Sequence, residues 1–115
     1  MTTDTCIKIN LAEAIHRLPG PQEENVVTLF EHGSLVTKLY APRVNDTQTP
    51  HSRDEVYVIA QGSGEFVCGP TRAPFQPLDA LFVAAGVEHR FENFTDDFAA
   101  WVFFYGPEGG EVDQS

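Results

Sequence analysis

"QTPHSRDEVYVIAQGSG", residues 48–64, decides the reading of this chain. Its apolar, β-branched run from Val56 to Ala60 ends on Gly62-Ser63-Gly64. That is the pattern of a buried strand turning into its neighbour. His51, Asp54 and Glu55 crowd the mouth of that strand. Side chains on a strand share a face at every second residue, so Glu55, Tyr57 and Ile59 lie together and His51 has their parity. Asp54 is then expected to face out, with Val56 and Val58 packed on the side opposite Tyr57.

Outward from this stretch the pattern stays β. "NVVTLFEHG" and "SLVTKLYAP" predict two strands joined by a tight turn at Gly33. "EVYVIAQGSGEFVCG" reads as two strands around Gly62-Ser63-Gly64, "ALFVAAGVEHRFEN" gives two strands around Ala85-Gly86, and "FAAWVFFYG" gives the last. Strands at this spacing, with Gly and Pro between them, predict an all-β sandwich or barrel. Pro42, Pro50, Pro70, Pro74 and Pro77 are placed between strands, where a missing N–H costs little. The one helix signal is "NLAEAIHRLPG": Asn10 as N-cap, Glu13 three residues on, and a stop at Pro19-Gly20. Residues 1–115 read as one domain, with an arm and helix over 1–22, a barrel over about 26–105 and an acidic tail, 107–115, expected to fray.

Hydrophobic residues make up 42% of the chain and charged residues 21%, which suits a globular core. Acidic residues outnumber basic ones 17 to 7, a formal net charge of −10. Such a surface repels phosphate backbones and anionic membranes, so nucleic-acid and membrane partners are not expected. No apolar run approaches the roughly 18 residues of a membrane span, and "MTTDTCIKIN" has no secretory pattern. Cys6 and Cys68 make no metal-type spacing and read as free thiols in a reducing cytoplasm.

Histidine stands at strand mouths twice, in "TPHSRDE" and in "GVEHRFEN". If both strands turn those faces inward, His51, Glu55 and His89 converge in an apolar cavity. Two imidazoles and one carboxylate suit iron, manganese, nickel, zinc or copper as a divalent ion, and leave positions open for a substrate. On spacing alone a second reading stays open, with both histidines on a solvent-exposed rim. Tyr57, Phe91 and Trp101 are the lining candidates by parity. Tyr57 is a candidate catalytic residue that would donate a proton or hydrogen bond. Arg53 is the other, and Arg53 or Arg90 would pair with a substrate carboxylate.

The order of these residues resembles the two motifs of the cupin superfamily. His51 stands at the second histidine of the first motif, with Glu55 four places on and Gly62 after six more. Gly86, His89 and Asn93 match the second motif. The resemblance spans about residues 26–105 and implies a double-stranded β-helix, or jelly-roll barrel, with a metal near its centre. Three positions depart from it. Leu78 replaces a glycine, Ala84 a proline, and Thr49 the first histidine, one of four usual ligands. Gln48 is the candidate to fill that gap, as an oxygen ligand or a hydrogen-bond partner of a bound water. The resemblance implies a small metal-dependent enzyme (dioxygenase, isomerase or lyase type) acting on a chelating metabolite. Its alternative is a non-catalytic small-molecule-binding or sensor protein. A homodimer is expected, because a barrel of this size leaves sheet surface to cover.

Overall fold

The computed structural model describes residues 5–20, 25–46 and 48–112. The ends of the expected arm and tail, residues 1–4, 21–22 and 113–115, lie outside the described residues. Among the described residues, period-two alternation of apolar side chains produces eight strands: β1 Val26–His32, β2 Leu35–Tyr40, β3 Asp54–Gln61, β4 Gly64–Cys68, β5 Thr71–Phe75, β6 Ala80–Val83, β7 His89–Glu92 and β8 Ala99–Tyr105. They form an antiparallel five-stranded sheet, β1-β2-β8-β3-β6, facing an antiparallel three-stranded one, β5-β4-β7. The connections β3–β4, β5–β6, β6–β7 and β7–β8 each cross from one sheet to the other, which closes the two layers around one interior. No helix among the described residues is long and apolar enough to cross a membrane.

The β3–β4 crossing needs glycine at Gly62. Its φ is +86°, and a Cβ there would sit 2.6 Å from the Cα of Phe98, so both conformation and space exclude a side chain. The interior is aromatic. Phe91 lies at its centre, with ring centroids 4.8 Å from Phe98, 5.0 Å from Tyr57 and 5.1 Å from Phe66. These are the separations of tilted and edge-on ring pairs. A second cluster lies on the outer side of the larger sheet. There Ala14, fully buried, packs with Leu29 and Leu39 beneath the single helix, α1 Leu11–His16. Asn10 caps that helix by accepting from the Glu13 N–H at 2.8 Å, as the sequence predicts.

Two expectations are corrected. Pro74 is not between strands but inside β5, which the sequence reading missed. β5 is an edge strand, where one side of the backbone makes no ladder bonds, so a proline is tolerated. Asp54 does not face out: it is buried, accepting from Ala85 N at 2.9 Å and Glu111 N at 2.8 Å. Those two donors, Glu111 first, hold its carboxyl below the ordinary aspartate range. Within the tail, Gly109 N donates to Ser52 O and Glu111 N to Asp54.

Candidate metal centre

β3 carries Glu55 and Tyr57 inward, in register with Phe104 and Val102 of the neighbouring β8. β7, in the facing sheet, carries His89 inward beside Phe91. His51 precedes β3 in a loop tied down at both ends of the β6–β7 turn. Gly86 N donates to His51 O at 2.7 Å, and Ala85 N donates to Asp54. The result brings His51, Glu55 and His89 together, with one ligand atom from each lying within 4.8 Å of the others. Glu55 is fully buried and His89 is 2% exposed, while the His51 side chain remains 34% exposed at the mouth.

Glu55 Oε1 lies 2.9 Å from His89 Nε2 and 3.9 Å from His51 Nε2. Neither contact has hydrogen-bond alignment, and both Glu55 oxygens are buried without a hydrogen-bond partner. A carboxylate in that position is costly unless a cation or donor meets it. His89 Nδ1 is 2.9 Å from the Val87 carbonyl, which can only accept, so Nδ1 carries the proton. In the neutral imidazole this leaves the Nε2 lone pair facing Glu55. Burial opposes protonation of His89, but Glu55 and the Val87 carbonyl outweigh it and raise its pKa. His51 moves the other way, lowered chiefly by burial.

Gln48 completes the ring. Its Oε1 is 3.2 Å from His51 Nε2 and accepts from Tyr57 OH at 3.0 Å. Strict alternation would have turned it away, but residues 48–53 are loop rather than strand. Asp46, which the sequence reading did not single out, fixes the amide. Its Oδ2 accepts from Gln48 Nε2 at 2.7 Å and from Phe91 N at 2.8 Å, and its Oδ1 from Gln48 N and Tyr40 OH. The amide oxygen therefore points at the donor set. Thr49, at the position of the missing histidine, is exposed. Tyr57 OH lies 3.1 Å from His89 Nε2. Burial first, and then Glu55, push its pKa up, so it keeps its proton.

The remaining candidates fall elsewhere. Trp101 is on the outer face of β8, packed toward the α1 cluster, because Ala100, Val102 and Phe104 are the inward residues of that strand. Arg53 donates to the carbonyls of Ser34 and Gly106, and Arg90 to Glu92, so the structure does not bring either guanidinium to the site. Asn93 lies past the end of β7 with φ +52°, exposed, donating to Glu65. Cys6 and Cys68 are both free thiols. Cys68 faces His89 across the β4–β7 ladder, and burial with Glu55 raises its pKa, so it stays a thiol. A cavity of about 100 Å³ opens on the His51 and Glu55 side of the site, lined also by Gln48, Tyr57, Lys38, Tyr40, Val102 and Phe104.

The residues present fit a metal ion. The donors are two borderline nitrogens and a hard oxygen on separate strands and a tethered loop, with both carboxylate oxygens left without a proton donor. No protein-family model matches the chain. An uncharacterized protein of Streptomyces coelicolor is 33% identical over 63 residues, 55% of this chain. The chain covers only 60% of that relative. Among solved structures, a cupin 2 conserved barrel domain protein from Salinispora arenicola superposes with a TM-score of 0.67, covering 89% of this chain and 91% of that one at 19% identity. A DMSP lyase structure gives 0.63 at 17% identity, over 72% of this chain and 47% of that one. At these identities the shared property is the fold. The chain is a small protein of the cupin fold.

Proposed function

We propose that this protein binds one divalent transition metal (iron, manganese, nickel, zinc or copper) through His51, Glu55 and His89, and acts as a metal-dependent enzyme on a small chelating metabolite. Gln48 Oε1 is the fourth donor in this reading. The observation that carries it is Glu55: a carboxylate fully buried between two imidazoles, hydrogen-bonded to nothing, on the wall of a cavity. When bound, the metal would polarise a chelated substrate or activate oxygen, which places the reaction among dioxygenase, isomerase or lyase types. A lyase on the same barrel, the DMSP lyase, supports catalysis over storage.

The chain's own residues divide the remaining work. Val87 O holds the His89 tautomer, and Asp46 holds the Gln48 amide with its oxygen inward. Tyr57, protonated throughout the working pH range, donates its one O–H to Gln48 Oε1 and would turn it to a substrate oxygen in exchange for that bond. Val102 and Phe104 form a dry floor that strengthens each of these contacts. The test is elemental analysis and calorimetric titration with each metal. Stoichiometric uptake lost in His89→Ala supports the reading; uptake unchanged by that substitution refutes it. Turnover of a chelating substrate only in the metal-loaded form separates an enzyme from a binding protein. The homodimer belongs to the same proposal. Phe82, 56% exposed, extends the outer apolar face of the larger sheet, and light scattering at twice the 12.7 kDa chain mass is expected.

A further inference from the structure

The cavity wall opposite Glu55 carries a cation. On β2, Val36, Lys38 and Tyr40 alternate inward, and both Lys38 and Tyr40 line the cavity with Gln48, His51, Glu55 and Tyr57. Lys38 pairs with Val102 on β8, and Val102 pairs with Tyr57 on β3. With strands about 4.8 Å apart, the Lys38 and Tyr57 backbones stand roughly 10 Å apart across an apolar floor. The ammonium lies 5.5 Å from the centroid of the Phe104 ring, which in turn packs edge-on against His51 at 5.0 Å.

Among the described residues this charge has no counter-ion. Among the described residues no carboxylate lies within ion-pair distance of Lys38, although acidic residues exceed basic ones 17 to 7. Every arginine is engaged: Arg17 by Glu13, Arg43 by Asp96 O, Arg53 by Ser34 O, Arg72 by Glu65 and Glu92, and Arg90 by Glu92. An ammonium has three donors and accepts nothing, so a half-buried one lining a pocket calls for an anionic acceptor.

We infer that the substrate of this pocket bears a carboxylate, held by Lys38 across the cavity from the end that chelates at His51, Glu55 and His89. The inference rests on the metal reading above and names its substrate class: a small metabolite with a chelating oxygen pair at one end and a carboxylate at the other. Neutral chelators of equal size lose the second anchor.

Two probes test this on zinc-loaded protein: acetohydroxamic acid, and the monohydroxamate of succinic acid, which adds a carboxylate. The wild type is expected to bind the carboxylated probe about tenfold more tightly. Lys38→Met removes that preference while leaving zinc affinity and acetohydroxamate affinity in place, and Lys38→Arg keeps it. Equal affinity of the zinc-loaded wild type for both probes, or a preference that survives Lys38→Met, overturns the inference and leaves the metal reading standing. Failure of the wild type to take up zinc or any other transition metal overturns both.

Discussion

Replacing Glu55 by methionine should stabilise the metal-free protein and abolish metal binding. Glu55 is fully exposed to its neighbours and not at all to water: both oxygens are buried, neither has a hydrogen-bond partner, and the one close cation is His89 at 2.9 Å. Removing one member of a buried pair is ordinarily destabilising because the other charge is stranded. His89 escapes that penalty by shedding its proton, since burial favours its neutral form and Val87 O still holds Nδ1–H. Methionine has similar volume and no polar atom to desolvate. Exchanging a whole buried ion pair for apolar side chains gains about 1–4 kcal/mol, and the single exchange, with His89 left neutral, is expected at the lower end, about 1 kcal/mol. For a domain of this size that is a rise in Tm of roughly 3–6 °C for each kcal/mol. The sign depends on pH. A histidine whose folded pKa is raised contributes stability that is complete below its unfolded value and vanishes as pH rises through the folded one. The advantage of Glu55→Met is therefore largest at about pH 8 and shrinks toward pH 6. Calorimetric melting in a chelator and again in saturating metal is the assay. Metal at a hundred times its Kd adds about 2.7 kcal/mol to the wild type and nothing to the variant, so their order narrows or inverts. A variant that melts below the wild type in chelator at the higher pH refutes the reasoning.

Metal affinity should fall by about tenfold per pH unit on acidification through the raised His89 pKa, because the ion must displace that proton; competition against a chromogenic chelator measures it, and a flat profile contradicts the assigned ligand. Leu78→Gly should stabilise the fold by about 0.5–1 kcal/mol in urea denaturation, since Leu78 is 84% exposed and holds φ +76°, where a Cβ is strained. Gly62→Ala should do the reverse and cost about 2–4 kcal/mol, because the new methyl meets the Phe98 backbone rather than a side chain that can rotate.

The strand pattern and the inward parity of Glu55, Tyr57 and Ile59 were legible because period two is a property of the chain itself. The same parity argument failed at Trp101, where it could not say which face of β8 meets the core, and at Pro74, where edge and centre are decided by sheet order. Asp54 looked outward by alternation yet is buried, because the chain beyond β8 returns to donate to it from a separation of 57 residues. Lys38 and Tyr40 carried a weak signal, their alternation with Val36 in β2, but nothing in the sequence ties that face to His51. Asp46 carried none: four donors from three separate segments meet its carboxylate only after folding.

That carboxylate has a consequence for how such a site can change over generations. The orientation of Gln48 is inherited from the Phe91 backbone and the Tyr40 hydroxyl, not from β3, where Glu55 originates. The segment bearing Gln48 and Thr49 is thus anchored like an interchangeable tool in a fixed holder. In the proposed site, this segment is where the donor atom would be exchanged while the barrel strands hold Glu55 and His89 in place.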